Sequence, residues 1–155
     1  MAGRIEARLR ELKLELPQAA APVANYVPSV RSGDLLFIAG QICQWQGERR
    51  FIGKLGRELG LEQGQEAARL CALNLLAQAK AALHGDLDRV LRCVRLGAFV
   101  NCTDDFTQQP QVANGASDLM VAIFDDAGRH ARAAVGVNAL PGGVAVEVDA
   151  VFEVR

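Results

Sequence analysis

Aromatic side chains are scarce in this chain, with Trp45 and Tyr26 its only tryptophan and tyrosine. Proteins that hold single-stranded nucleic acid stack bases on exposed rings and follow the backbone with a basic groove. An excess of positive charge is lacking as well: 17 basic residues face 18 acidic ones, for a net charge of −1. No basic stripe stands out, so no nucleic-acid partner is expected. No apolar run approaches the roughly 20 residues that span a bilayer, so no membrane partner is expected either. Histidine is limited to His84 and His130, and Cys43, Cys71, Cys93 and Cys102 form no CxxC pair. That leaves no convergent ligand set, and no metal is expected. The cysteines read as reduced thiols filling the core of a cytoplasmic protein. The Asn101-Cys102-Thr103 sequon then has no meaning, because glycosylation needs a secretory route. The N-terminal stretch mixes Arg4, Arg8 and Arg10 with Glu6 and Glu11. It lacks both the unbroken apolar segment of a signal peptide and the acid-poor character of a transit peptide.

What the chain does have is aliphatic bulk. Half of its 155 residues are apolar, enough for the core of one domain spanning residues 1–155. Residues 1–16 form a helical extension with Ile5, Leu9 and Leu12 on one face. Pro17 to Pro22 is a breaker-rich linker. Strands are predicted over Tyr26–Val30 and Leu35–Ala39, joined by the turn Arg31-Ser32-Gly33-Asp34. An irregular glycine-rich stretch follows to Gly60, carrying Trp45 and the pair Arg49-Arg50. From Leu61 to Leu83, Ala68, Cys71, Ala72, Leu75, Leu76, Ala79 and Leu83 recur with helical spacing, and Gly85 stops the helix. Val90–Val100 is apolar on both faces, as in a strand central to a sheet. Gln111–Phe124 is a second helix. Ala131–Ala139 and Ala145–Val154 are closing strands, separated by Leu140-Pro141-Gly142-Gly143. In the last strand Val146, Val148, Ala150, Phe152 and Val154 alternate with Glu147, Asp149 and Glu153. The expected fold class is therefore α+β, a mixed β-sheet with two helices on one face plus the extra N-terminal helix. Such a sheet leaves its other face to be covered, and a symmetric oligomer is one way to cover it.

Several motifs fail on inspection. Gly53-Lys54 is no P-loop, since Glu48 replaces the first glycine and Leu55 the Ser or Thr. Ser29, Ser32 and Ser117 lack a GxSxG context. The closing strands are more informative. If they pair as a hairpin, Arg132 lies opposite Glu147 to Asp149, to within about two residues. A cross-strand ion pair is the plain outcome. The sharper one is a site, because arginine's planar fork binds a carboxylate bidentately and a nearby glutamate can activate a water.

Arg132-Ala133-Ala134-Val135, then Leu140-Pro141, then Val146-Glu147-Val148-Asp149-Ala150 resemble the C-terminal signature of the RidA/YjgF family. Tyr26-Val27-Pro28-Ser29-Val30, Phe37-Ile38-Ala39-Gly40-Gln41 and the stretch from Asp105-Phe106 to Asn114 resemble its other blocks, in the same order. The resemblance spans about residues 22–155. It implies a chorismate-mutase-like fold and a homotrimer whose sheets line a central barrel, with clefts between subunits. It implies hydrolysis of reactive enamines and imines, such as 2-aminoacrylate, to 2-keto acids and ammonia, without a cofactor. Carried over by position, Arg132 clamps the substrate carboxylate and Glu147 positions water. Tyr26, Ala39, Gly40, Gln41, Asn114 and Ala134 line the cleft. Two positions depart from the active pattern: Ala39 replaces a serine and Ala134 a cysteine. The longer N-terminus and the Cys43–Gly56 loop mark a divergent branch.

The expected function is thus deamination of a small carboxylate-bearing imine. The alternative is a non-catalytic trimer that binds small carboxylates, motivated by the missing hydroxyl and thiol. Endoribonuclease activity, a label the family also carries, is disfavoured by the neutral charge and the lack of aromatic platforms.

Overall fold

The computed structural model describes residues 3–22 and 24–155. Its elements are α1 (Arg4–Glu11), β1 (Ser29–Ser32), β2 (Leu35–Ile42), β3 (Gln44–Trp45), β4 (Glu48–Arg49), α2 (Leu61–Ala82), β5 (Val90–Asn101), α3 (Gln109–Phe124), β6 (Ala131–Val137) and β7 (Val146–Val154). Five strands form one sheet in the order β1-β2-β7-β5-β6, and β3 with β4 forms a small separate hairpin. Only β5 and β6 run parallel, so the sheet is mixed. Helix α2 lies on β2 and β7, α3 lies on β5 and β6, and the two helices pack on each other. This is the α+β arrangement expected from the sequence.

Local chemistry explains the elements. Helix α2 is rich in alanine and leucine, and the Gln63 side chain accepts the Gly60 N–H at its start (2.9 Å). It ends where His84 and Gly85 turn to positive φ. Helix α1 buries Ile5 and Leu9 as its periodicity predicts. Its N-terminus is capped from afar: the Asp88 carboxylate accepts the Arg4 and Ile5 N–H groups, both at 2.8 Å. These two bonds, the one from Ile5 first, hold Asp88 below the usual carboxylate range. In β7, Val146, Val148, Ala150, Phe152 and Val154 are all buried, the alternation read from the sequence. Strand β1 begins only at Ser29, three residues later than Tyr26, because Pro28 has no N–H to donate. Strand β2 runs past Ala39 to Ile42, through a register shift between Ile38 and Gln41.

The closing strands do not pair with each other. Strand β5 lies between them, parallel to β6 and antiparallel to β7. A parallel neighbour needs a crossover, and α3 provides it between β5 and β6. Arg132 therefore stands beside Leu96, while Glu147 stands beside Phe99 and Ile42. The expected Arg132–Glu147 juxtaposition is wrong for a single chain.

One sheet face is covered by α2 and α3. The other has no cover within the chain, and it carries Val30, Leu35, Phe37 and Val135, all more than a third exposed. Among the described residues no helix is long and apolar enough to cross a membrane.

Candidate active site

Two groups of site residues emerge, and their charged members Arg132 and Glu147 point to opposite faces of the sheet. Arg132 lies on the helix-covered face at the edge strand β6. Its Nη1 donates to Asn114 Oδ1 (2.8 Å) and Ser117 Oγ (3.1 Å), and its Nη2 donates to the Pro110 carbonyl (3.3 Å). All three acceptors are neutral, and Arg132 enters no ion pair among the described residues. The guanidinium is thus aimed by α3 but not neutralised. Ser117 also meets His130 Nε2 at 2.8 Å, and His130 Nδ1 donates to the Gly128 carbonyl at 2.6 Å. Burial, and secondarily the Arg132 charge, push His130 below its ordinary pKa, while its bond to Gly128 opposes them. The Gly128 carbonyl can only accept, so Nδ1 carries a proton, and in the neutral ring Nε2 accepts the Ser117 hydroxyl while Ser117 Oγ accepts from Arg132. Ala134 lies two residues along β6, so it shares this face with Arg132.

Glu147 lies on the face that lacks helices, since its neighbours Val146 and Val148 are buried beneath α2 and α3. A cavity of about 170 Å³ opens beside it, lined by Tyr26, Gly40, Gln41, Arg49, Gln78 and Glu147, with Pro141 and the linker residues Ala20 to Pro22 at its rim. Gly40 gives the Glu147 carboxylate its seat, because a Cβ at that position would lie 2.6 Å from Oε1. Burial, and then the neighbouring charge of Asp149, raise the Glu147 pKa above the ordinary glutamate value. Asp149 itself is paired with Arg95 at 3.5 Å. Gln78 and Gln41 fix the inner wall: Gln78 Nε2 donates to the Ala20 carbonyl (2.6 Å) and meets Gln41 Oε1 (3.5 Å), and Gln41 Nε2 donates to the Ala39 carbonyl (3.0 Å). Ala39 is half-buried beside this wall, and its N–H donates to the Pro28 carbonyl.

The residues named from the sequence therefore fall into two sets. Tyr26, Gly40, Gln41 and Glu147 share one cavity, with Ala39 adjoining it. Arg132, Asn114 and Ala134 form the other set. The chain does not bring the two sets together. Sequence reasoning missed Ser117, His130, Gln78 and the cavity role of Arg49. Ser117 was findable, since it lies one helical turn from Asn114 on α3. Gln78 was not, because α2 carries several polar residues and only the fold shows which of them faces the cavity. Nothing in the sequence marked Arg49, because only the β3–β4 hairpin carries it to the cavity. Cys43, expected among the core thiols, is fully buried and donates to the Arg50 carbonyl (3.0 Å).

The model of the family described as "YjgF/chorismate_mutase-like, putative endoribonuclease" matches residues 6–148. Protein TCP17 of Trypanosoma cruzi is 51% identical over 154 residues, which cover 99% of this chain and 96% of that protein. The crystal structure of Atu1372 from Agrobacterium tumefaciens superposes with a TM-score of 0.92 at 45% identity, covering 98% of this chain and 93% of that one. An endoribonuclease-labelled structure from Shewanella oneidensis gives 0.93 at 35% identity, covering 97% and 99%. These relatives span the N-terminal extension as well as the core.

Proposed function

Because the chain belongs to the RidA/YjgF family, we propose that it hydrolyses small enamine or imine carboxylates to 2-keto acids and ammonia, at clefts between the subunits of a cytoplasmic homotrimer. One observation carries this reading: Arg132 is positioned by three neutral acceptors and is left without an acidic partner among the described residues. A guanidinium held this way keeps its charge for an anionic guest. The trimer reading draws on the uncovered sheet face, whose exposed Phe37, Val30 and Val135 need burial, and on the separation of Arg132 from Glu147. A second copy would supply the Arg132 set to the cavity that holds Glu147.

The chemistry follows from this arrangement. An imine carbon is already electrophilic, so the protein supplies orientation and a placed water. Two charge-assisted bonds from Arg132, each about 1.5–3 kcal/mol, hold the substrate carboxylate. Glu147 takes a proton from the attacking water, whose oxygen bonds to the imine carbon. The proton passes to nitrogen and gives a carbinolamine. The carbinolamine's hydroxyl proton then moves through Glu147 to the same nitrogen, so that the C–N bond breaks as the C=O forms and the keto acid and ammonia leave. An enamine enters this sequence after moving a proton from nitrogen to its terminal carbon. The raised pKa of Glu147 suits this shuttle.

The test is ammonia release from 2-aminoacrylate generated by a coupled lyase. Wild-type protein is expected to accelerate release, and Arg132→Ala to lose at least tenfold of that acceleration. Equal rates with and without wild-type protein would end the enzymatic reading. A second reading, a trimer that binds carboxylates without turnover, is favoured by Ala39 and Ala134, which remove a hydroxyl and a thiol from the wall. Stabilisation by 2-keto acids that is lost in Arg132→Ala, with no turnover, would select it.

A further inference from the structure

The cavity beside Glu147 holds a second charged group with no assigned task. Among its lining residues only Arg49 and Glu147 are charged. Arg49 enters no ion pair among the described residues. Its guanidinium lies flat on the backbone of Gly142: a Cβ there would meet Nη1 at 2.6 Å, Cζ at 2.7 Å and Nε at 2.9 Å. Gly142 itself has φ +66°, which also favours glycine. Each charge of the cavity thus rests on a glycine, Glu147 on Gly40 and Arg49 on Gly142. Strand β4 fixes Arg49 further, by pairing it with Gln44, another lining residue.

A planar cation seated this way, exposed on one side and unpaired, fits a carboxylate. Arg132 already accounts for the carboxylate next to the reacting carbon, on the reading above. We propose that Arg49 is a second anion anchor, and that the substrate class is therefore dicarboxylic: a 2-imino acid carrying an additional carboxylate at its far end, and the corresponding 2-keto product. The inference rests on the carboxylate-binding reading of Arg132, and it names the specificity of that same cleft.

Calorimetric titration of the full-length protein with 2-oxoglutarate and with 2-oxobutanoate tests it. The wild type is expected to bind the dicarboxylate about tenfold more tightly, equivalent to about 1.4 kcal/mol. Arg49→Ala brings the ratio of affinities near one, and Arg49→Lys, which keeps the charge but not the fork, restores part of it. Thermal melts check that each variant is folded. A wild-type ratio near one overturns the proposal. So does a ratio unchanged in Arg49→Ala, or an Arg49→Ala variant that weakens both acids equally, since Arg49 would then hold the only carboxylate. Arg132→Ala reports separately on the underlying reading. If it binds both acids as the wild type does, Arg132 is not the carboxylate clamp, whatever the Arg49 ratio shows.

Discussion

Glu147 is held in conflict with its surroundings. Half-buried and facing the charge of Asp149, it has a pKa above the ordinary glutamate value. A carboxyl whose folded pKa is raised binds its proton more tightly in the native state than in the unfolded one. It therefore lowers stability once the pH rises above its unfolded value. Glu147→Gln is expected to raise the melting temperature at pH 7 while removing hydrolysis, a pairing that thermal melts and the ammonia assay check together. The acid limb of kcat/KM should lie above the ordinary glutamate range, and Asp149→Asn should move it to lower pH by removing the neighbouring negative charge. His130 works in the opposite sense. Its folded pKa is depressed, so the neutral ring adds stability that is present above the unfolded value of about 6.5 and lost as the pH falls below it. His130→Gln is expected to flatten the loss of stability between pH 7.5 and 5.5, measured by denaturant titration at each pH.

At the scale of elements, α1 depends on a residue far along the chain. Asp88 supplies the acceptor that the helix's own Gly3 cannot. Asp88→Ala is expected to lower stability by about 0.5–2 kcal/mol, read from urea midpoints at pH 7, with helical content little changed because α1 is only eight residues long. The loss should shrink as the pH falls through the depressed pKa of Asp88. The sequence revealed α1 because Ile5 and Leu9 repeat at helical spacing, but not its cap, which no local pattern records. The same contrast holds elsewhere. The alternation in β7 and the apolar repeat in α2 are local, and both were legible. The pairing of β6 with β5 was not, because it is decided by where α3 returns the chain. A Pro-Gly-Gly turn between two strands suggests a hairpin, yet here the segment from Leu140 to Gly143 only carries the chain past the end of β5. Likewise Arg132 and Glu147 were legible as chemistry, through a resemblance in their flanking residues. Their placement on opposite faces follows from the register of β6 and β7 on β5, which sets Arg132 beside Leu96 and Glu147 beside Phe99. Arg49 and Gln78 were invisible as cavity residues, since a two-residue strand and a helix face bring them there.

For the molecule as a whole, the proposed homotrimer would bury the uncovered sheet face. Phe37 is 44% exposed and pairs with Val30 on one side and Val151 on the other, at the middle of that face. Light scattering of the wild type is expected to give about three times the chain mass of 16.6 kDa. Phe37→Asp should give a species nearer one chain mass, because burying a carboxylate among three apolar faces is costly. A wild-type mass of one chain would remove the inter-subunit cleft, and with it the proposed reaction. All four cysteines are buried, so alkylation by iodoacetamide should be slow in the native protein and fast in urea.

The separation of Arg132 from Glu147 by the thickness of a sheet also has a genetic consequence. If each cleft borrows its guanidinium from one copy and its carboxylate from the next, two dead proteins can rescue each other. Co-expressed in equal amounts, Arg132→Ala and Glu147→Gln chains would assemble at random, and about a quarter of the clefts would receive both intact partners. Activity reborn from that mixture, at roughly that level, would mark the reaction as a property of neighbours.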